Sequence, residues 1–237
     1  MAIRNVGLGG ATDWSNGEIL EAPDLNDTFD AGTSKIQTLT AFWLNPDLYD
    51  VYDDFESYSI GAFTTNAKWL VEDIIGGSGG SSSAIEITNS TNAGGSGKEL
   101  YIRAQANLSG TSRTRDVRLT TQDLPKNHHF FGRVMTQVIQ SRFASNAVVQ
   151  FAGQTMDFGF GQDVQHTGLG PRYHNFNVIA KGNDLYDVYL GGRRVLNNHS
   201  NPSGQWTFRV YAVGNSSNGH EWVTYLDDIR VSKSAVE

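Results

Sequence analysis

Small and apolar residues recur at alternating intervals of three and four positions between residues 22 and 46. The recurring positions are Ala22, Leu25, Phe29, Gly32, Ile36, Leu39 and Trp43. Residues at this spacing share one face of an α-helix, and the spacing is typical of a coiled-coil seam about three heptads long. Because a proline cannot continue a helix, Pro46 marks its end, and the pattern predicts a helix over residues 22–46.

The predicted helix needs a partner to be stable. Gly32 and four threonines lower its intrinsic helix propensity, and an isolated helix of this composition is marginal in water. We expect copies of the chain to cover the seam, and the wide side chains of Phe29 and Trp43 favour three strands over two. The oligomerisation residues would then be Leu25, Phe29, Ile36, Leu39 and Trp43. The alternative is a helix that lies on its own β domain.

The segment before the helix, residues 1–21, has two glycine clusters and no hydrophobic period. We expect it to be an extended arm without a stable element of its own. Its apolar side chains include Trp14, Ile19 and Leu20, which are candidates for insertion into grooves of a larger particle. A disordered N-terminus is the alternative interpretation.

From about residue 50 onward the hydrophobic period changes to two, which is typical of half-buried strands. Glycine, serine and asparagine clusters separate the alternating segments. These segments are 68–74, 84–88, 99–106, 116–121, 129–140, 146–153, 154–162, 173–181, 185–192, 206–214 and 221–231. Short strands without intervening helical patterns predict an all-β sandwich or barrel over residues 47–237.

Composition narrows the classes of partner. The net charge of the 237-residue chain is −7, and no block of lysine or arginine stands out, so we expect no nucleic-acid partner. No apolar run approaches the roughly 18 residues of a membrane span, and residues 2–18 lack the apolar core of a signal peptide. Because the chain has no cysteine, disulfides and thiol chemistry are excluded.

Two stretches at the ends of the β region resemble a known fold. "YDDFESYSIGAFTTNAKWLVED" opens this region and "EWVTYLDDIRVSK" closes it. The pair resembles the first and last strands of concanavalin A-like or laminin-G-like jelly rolls, and carbohydrate-binding modules of the galactose-binding type have similar ends. The resemblance implies a two-sheet sandwich in which the two terminal strands are neighbours.

A second resemblance lies upstream, in "TDWSNGEILEAPDLNDTFDA". This stretch is similar to the N-terminal attachment segments of tailed-virus fibre and baseplate proteins. The matching residues are Trp14, Gly17, Glu18, Ile19, Leu20, Asp24, Leu25, Asn26 and Phe29. The resemblance implies a virion structural protein, commonly a homotrimer, that is made in the host cytoplasm and binds other virion proteins.

The acidic residues give little support for an enzyme. Glycosidases need two carboxyl groups placed across a sugar ring, and jelly-roll glucanases usually carry theirs as alternating acids on one strand. The clusters "DDFE" (53–56) and "LDDI" (226–229) do not form such a run. No histidine pair has the spacing of a transition-metal site, and no phosphate-binding loop is present. We therefore expect no catalytic activity.

Strict alternation places Asp227 on an apolar strand face, where an unpaired charge would be costly. The expected neighbours on that face are Val223, Tyr225, Ile229 and Val231. One solution is a structural Ca²⁺ held by Asp227 together with Asp54 and Glu56, because carboxylate oxygens suit this ion. The other solution is an arginine or backbone partner.

The best candidate for a recognition surface is "GQDVQHTGLGPRYHNF", residues 161–176. Hydrogen-bonding groups beside an aromatic ring suit a sugar, and the candidate glycan-binding residues are Asp163, His166, Arg172, Tyr173 and His174. An ordinary exposed loop and a contact with a neighbouring copy are the alternatives. Together the patterns favour a trimeric virion fibre, spike or decoration protein. A free carbohydrate-binding module is the alternative, and a glycan-cleaving enzyme comes third.

Overall fold

The computed structural model describes residues 46–76, 80–90, 97–106, 113–140, 148–155, 173–191, 193–214 and 220–237. The chain divides into two units, Met1–Tyr49 and Asp50–Glu237. In the first unit the described part is a 3-10 turn, Pro46–Leu48, and the start of the first strand. The predicted arm and the helix with its seam therefore lie outside the described residues.

Strands are the regular secondary structure of the described residues in the second unit, with no helix among them, as the period-two pattern predicts. The strands are β1 (Tyr49–Asp53), β2 (Gly61–Ala62), β3 (Trp69–Gly76), β4 (Ser81–Asn89), β5 (Lys98–Ala106), β6 (Arg113–Thr121), β7 (Phe130–Gln140), β8 (Val148–Phe151), β9 (Gln154–Thr155), β10 (His174–Ala180), β11 (Leu185–Leu190), β12 (Arg193–Ser200), β13 (Thr207–Gly214) and β14 (His220–Ser232). None of the described residues belongs to a helix of the length and apolarity needed to span a bilayer.

The strands form two antiparallel sheets in the described part of the chain. The larger sheet has the order β12-β11-β10-β7-β14-β5-β4-β2, and β1 also pairs with β14. The smaller sheet has the order β3-β6-β13-β8-β9. The last strand, β14, therefore lies near the middle of the larger sheet, between β5 and β7.

One face of each sheet contributes to a common apolar core, as expected for a β-sandwich. Strand β5 shows the alternation clearly, because Leu100 and Ile102 are buried in this core while the intervening Tyr101 is half-buried on the other face. The two sheets meet through aromatic rings. The Phe176 ring of β10 lies 4.8 Å from the Phe151 ring and 5.1 Å from the Phe208 ring, both on the smaller sheet.

The predicted strands agree well with the observed ones, and the differences have local causes. Each predicted segment from 68–74 to 146–153 overlaps a strand, and β3 and β4 both extend into the glycine- and serine-rich stretch between the first two segments. Strand β12 was missed because "RRVLNNHS" is mostly polar, as suits a strand at the edge of a sheet. Of the predicted strand 154–162, Gln154–Thr155 is strand and the remainder lies outside the described residues.

Candidate functional site

The outer face of the larger sheet carries aromatic, basic, acidic and amide side chains. Residues that face each other across antiparallel strands share a face, so the register identifies the members of this surface. Tyr225 of β14 pairs with Tyr101 of β5 and with Met135 of β7, and Asp227 pairs with Arg133. The outer sides of β5, β14 and β7 are therefore continuous, with Tyr101 and Tyr225 half-buried and Met135 and Val223 buried.

Two tyrosines form an aromatic strip on this surface. The ring centroids of Tyr101 and Tyr225 are 5.2 Å apart, with an interplanar angle of 51°. Both side chains are half-buried, and burial raises the pKa of each phenol above its ordinary value. Each ring therefore keeps its hydroxyl proton at neutral pH and combines an apolar surface with a hydrogen-bonding group.

A polar cluster continues the strip along β5 and β14. The Arg103 Nε donates to Glu221 Oε1 at 2.6 Å, and its Nη2 donates to the Gln105 amide oxygen. Ser82 Oγ of the neighbouring strand β4 donates to the same Gln105 oxygen at 3.0 Å. These contacts hold the planar groups of Arg103, Gln105 and Glu221 in a fixed arrangement beside the aromatic strip.

On the other side of the strip, Asp227 lies in a buried ionic network with Arg133. Asp227 is 3% exposed, and Arg133 Nη2 donates to its Oδ2 at 3.0 Å. Arg133 Nε also lies 3.5 Å from Asp228 Oδ2, and Arg230 Nε donates to Asp228 Oδ1 at 2.6 Å. Two arginines thus neutralise two adjacent carboxylates on β14.

Tyr173 and Glu99 extend this network toward β5. Glu99 is 1% exposed, and its Oε2 accepts hydrogen bonds from the Tyr173 hydroxyl and, at 2.9 Å, from Ser90 Oγ. The Arg133 guanidinium lies 5.7 Å from the centroid of the Tyr173 ring, which is within the range of a cation–π contact. Burial and the Glu99 carboxylate raise the pKa of Tyr173, so its hydroxyl stays a donor.

The protonation state of Asp227 depends on the balance between burial and its charged neighbours. The pKa of Asp227 is raised to about 7, chiefly by burial and further by the nearby Asp228 and Glu99 carboxylates. Arg133 and a backbone hydrogen bond lower the pKa, but they compensate only in part. Near neutral pH the network therefore exchanges a proton at Asp227.

We expect this proton to make the stability of the protein depend on pH. The folded-state pKa is raised, so the Asp227 contribution to the free energy of unfolding is present at low pH and is lost as the pH rises from about 4 to about 7. Urea unfolding of the wild type and of Asp227→Asn at pH 5 and pH 7.5 measures this contribution. The difference between the two proteins should change by about 1–3 kcal/mol, in favour of the variant at the higher pH. An equal difference at both pH values would contradict the assignment.

The structure places Asp227 on a different face of β14 from Ile229 and Val231, which corrects the expectation from strict alternation. The register of β14 against β7 shifts between Asp227 and Arg230, and Asp228 has a φ of 54°, which mark a β-bulge. Before the bulge Leu226 faces the core, whereas after it Ile229 does. Asp227 therefore faces away from the core, and strict alternation wrongly grouped it with residues beyond the bulge.

Of the two partners considered for Asp227, the structure places an arginine beside it. Asp54 Oδ1 accepts from the Glu56 backbone N–H at 3.2 Å, and Glu56 Oε1 accepts from the Lys98 backbone N–H at 2.7 Å. Within the described residues, no three histidine or acidic side chains are grouped so that they could hold a metal ion. The carboxylates of the calcium hypothesis thus have protein partners.

Of the five predicted glycan-binding residues, the structure describes Tyr173 and His174. Tyr173 joins the buried network, whereas alternation places His174 of β10 on the side of its strand that leads to the core residue Phe176. Asp163, His166 and Arg172 lie outside the described residues. Tyr101, Arg103 and Tyr225 were not predicted as site residues, although "ELYIRAQA" alternates apolar residues with an aromatic and three polar ones.

Comparisons with known proteins assign no family. A scan against models of protein families finds no match. A search of curated proteins likewise finds no similar sequence. The surface chemistry of the described residues, together with the N-terminal resemblance, is therefore the basis for a functional interpretation.

Proposed function

We propose that the chain is a virion structural protein of a tailed virus, namely a homotrimeric fibre, spike or decoration protein. Residues 1–21 attach it to other virion proteins of the capsid or tail, and the helix over residues 22–46 joins three copies. The β domain projects outward and contacts glycans on the host surface. The attachment half of this proposal rests on the similarity of residues 12–31 to fibre and baseplate attachment segments.

The path of the chain supports a jelly-roll topology for the β domain. Successive segments change sheets repeatedly, since β3 and β6 belong to the smaller sheet and β4 and β5 to the larger one. The terminal strands β1 and β14 are also neighbours, which is the pairing that the jelly-roll resemblance implies. A fold of this kind presents a broad sheet face on which a long polysaccharide can lie.

The observation that carries glycan recognition is the aromatic strip beside the polar cluster. Sugar rings have apolar C–H faces and polar hydroxyl edges, so they fit a surface that places aromatic rings next to paired donors and acceptors. Tyr101 and Tyr225 supply the rings, and Arg103, Gln105 and Glu221 supply the hydrogen-bonding groups. On the full trimer, three such sites would bind by avidity even if each is weak.

Replacement of one ring tests this site. We expect Tyr101→Ala to lower the affinity for the bound polysaccharide by about tenfold, because a lost aromatic contact costs about 1.4 kcal/mol. The measurement is equilibrium binding to an array of bacterial surface polysaccharides, followed by titration of the best binder. Tyr101→Phe keeps the ring and should keep most of the affinity. Equal affinity of Tyr101→Ala and the wild type, or no binding on the array, would refute the assignment.

A free carbohydrate-binding module is the alternative supported by the same surface, and oligomeric state separates the two. The module requires no trimer, whereas the virion protein does. The buried network argues against a glycan-cleaving enzyme, because Glu99 and Asp227 are 1% and 3% exposed and bind protein side chains. A glycosidase needs carboxyl groups that reach the scissile bond.

A further inference from the structure

The outer face of the smaller sheet carries a separate depression with a volume of about 290 Å³. It lies across β3, β6, β13 and β8, on the face opposite the core. The polar residues that matter for its chemistry are Glu72, Arg118, Thr120, Gln150, Thr207 and Arg209. None of these residues belongs to the aromatic strip or to the Asp227 network of the larger sheet.

Two arginines face each other across this depression. Arg118 of β6 is the direct register partner of Arg209 of β13, an arrangement of like charges that is unfavourable by itself. Asp116 lies between them. Its oxygens accept from Arg209 Nε and Nη2, both at 2.9 Å, and from Arg118 Nε at 3.3 Å and Nη2 at 2.7 Å.

Asp116 is a permanent anion that fixes both guanidinium planes. It is 6% exposed, and this burial raises its pKa. The hydrogen bonds from Arg209 and Arg118 lower the pKa by more, so the net pKa lies below the ordinary value for an aspartate. The carboxylate therefore stays ionised at neutral pH and holds the two arginines in place.

Asp116 is the carboxylate that directly contacts the two guanidinium groups. Among the described residues, Asp116 is the acidic side chain within 4.0 Å of Arg118 or Arg209. Glu72 acts on Arg118 only through a longer-range attraction. Glu72 is the direct register partner of Arg118, so two carboxylates accompany the two guanidinium groups, while Asp116 makes the close contacts with both arginines among the described residues. The side chains remain 38% and 31% exposed, so an anion from solvent can reach them.

The unused edges of the guanidinium groups match a second carboxylate. Arginine has five N–H donors, and each arginine spends its Nε–Nη2 edge on Asp116. The end-on edge, formed by the two terminal nitrogens, still carries N–H donors in the fork geometry that a carboxylate accepts. Arg209 Nη1 donates to Gln150 Oε1 at 3.3 Å, which leaves one further N–H on each of its terminal nitrogens. The Tyr211 ring, whose centroid lies 4.7 Å from the guanidinium carbon, also contacts Arg209.

Uncharged side chains beside the arginines can form hydrogen bonds with the hydroxyl groups of a ligand. The hydroxyl oxygens of Thr120 and Thr207 are 2.8 Å apart, so one donates to the other and the second proton remains available. The Gln150 amide oxygen accepts a hydrogen bond from Arg209, so the amide N–H groups of Gln150 remain available as donors. Glu72 adds a carboxylate acceptor at the rim. Hydrogen-bond donors therefore outnumber acceptors at the depression, so a ligand rich in acceptors is favoured.

We propose that this depression binds an acidic sugar residue, with the sugar carboxylate on the end-on edges of Arg118 and Arg209 and the sugar hydroxyls on Gln150, Thr120, Thr207 and Glu72. The volume is at the lower end of the roughly 300–1,000 Å³ that ligand pockets have, which suits a single sugar residue. This second site stands independently of the aromatic strip, because it lies on the other sheet and uses other residues.

The test compares four probes on the full chain by isothermal titration calorimetry at low ionic strength. The probes are glucuronic acid, glucose, acetate and inorganic phosphate. We expect glucuronic acid to bind at least tenfold more tightly than the other three, and 0.5 M salt to weaken it further. Equal binding of glucose would refute the role of the carboxylate. Equal binding of acetate or phosphate would refute recognition of the sugar, and absence of glucuronic acid binding would refute the site.

Variants locate the binding on the molecule. Arg209→Gln and Arg118→Gln should each weaken glucuronic acid binding by about tenfold or more, since each removes a charged fork. Arg118→Lys keeps the charge and the contact with Asp116 but loses the fork, and it should also bind more weakly. The matched control is Arg194→Gln, an arginine of β12 on the other sheet that is 52% exposed and 3.7 Å from Asp187.

Thermal unfolding verifies that each variant is folded before its titration. If Arg209→Gln does not fold, Arg118→Lys still decides the question. Wild-type affinity in Arg118→Lys and Arg118→Gln, or an equal loss in Arg194→Gln, would overturn the proposal. Because Tyr101→Ala leaves this depression intact, it should not change the affinity for glucuronic acid.

Discussion

The double substitution Ile36→Asp and Leu39→Asp should convert the assembled protein into single chains while the β domain stays folded. Both positions lie in the proposed seam, where three copies would bring six carboxylates into an apolar interface. In the proposed trimer, folding of the helix would be coupled to assembly, so loss of the interface would remove the helix as well. Light scattering after size-exclusion chromatography should show a mass of 26.0 kDa per particle instead of three times that value.

A matched control separates the seam from a general effect of added charge. Ser34→Asp with Gln37→Asp adds the same charges on the other side of the predicted helix and should leave the oligomer intact. A truncated chain that begins at Tyr49 should be monomeric, with the urea midpoint of the β domain unchanged. An intact oligomer in the seam variant, or a wild-type chain that is already monomeric, would end the trimer proposal and favour a free binding module.

Trp69→Ala should destabilise the β domain by about 3–5 kcal/mol. The indole is fully buried, and its ring centroid lies 6.3 Å from that of Phe55 and 5.5 Å from that of Tyr52. Its Nε1 also donates to Asp53 Oδ2 at 2.8 Å. Truncation leaves a cavity and removes a hydrogen bond from the buried Asp53 carboxylate. Urea unfolding followed by circular dichroism measures the loss of free energy.

The neighbouring residue provides the control for this experiment. Leu70 follows Trp69 in β3 but is 38% exposed, so Leu70→Ala should cost less than about 1 kcal/mol. Trp69→Phe restores much of the volume without the N–H donor and should lie between the two alanine variants. If Trp69→Ala and Leu70→Ala had equal effects, the indole would not be a central part of the core.

The buried network illustrates how far the sequence could anticipate the site. The sequence predicts that Asp227 needs a partner, because the strand that carries it is rich in apolar residues. It does not show which of the 18 lysines and arginines fills that role. Arg133 is 94 residues away, and only the pairing of β14 with β7 brings it within 3.0 Å.

The two candidate sugar sites likewise depend on the pairing of strands that are distant in the sequence. Tyr101 and Tyr225 form a strip because β5 and β14 are neighbours in one register, although a one-residue slip would separate the rings. Arg118 and Arg209 likewise meet across β6 and β13. Each strand by itself shows only that its alternate residues are polar, which is equally consistent with an ordinary solvated face.

The sequence by itself determined the all-β class and the positions of most strands, because alternation and turn residues act over a few neighbouring positions. The tertiary structure alone decided the face on which Asp227 lies, the partner of each buried charge and the side chains that gather on the two outer faces. These outcomes depend on strand order, register and a bulge at Asp228. Such features are set by the packing of distant segments against one core, and no local pattern encodes them.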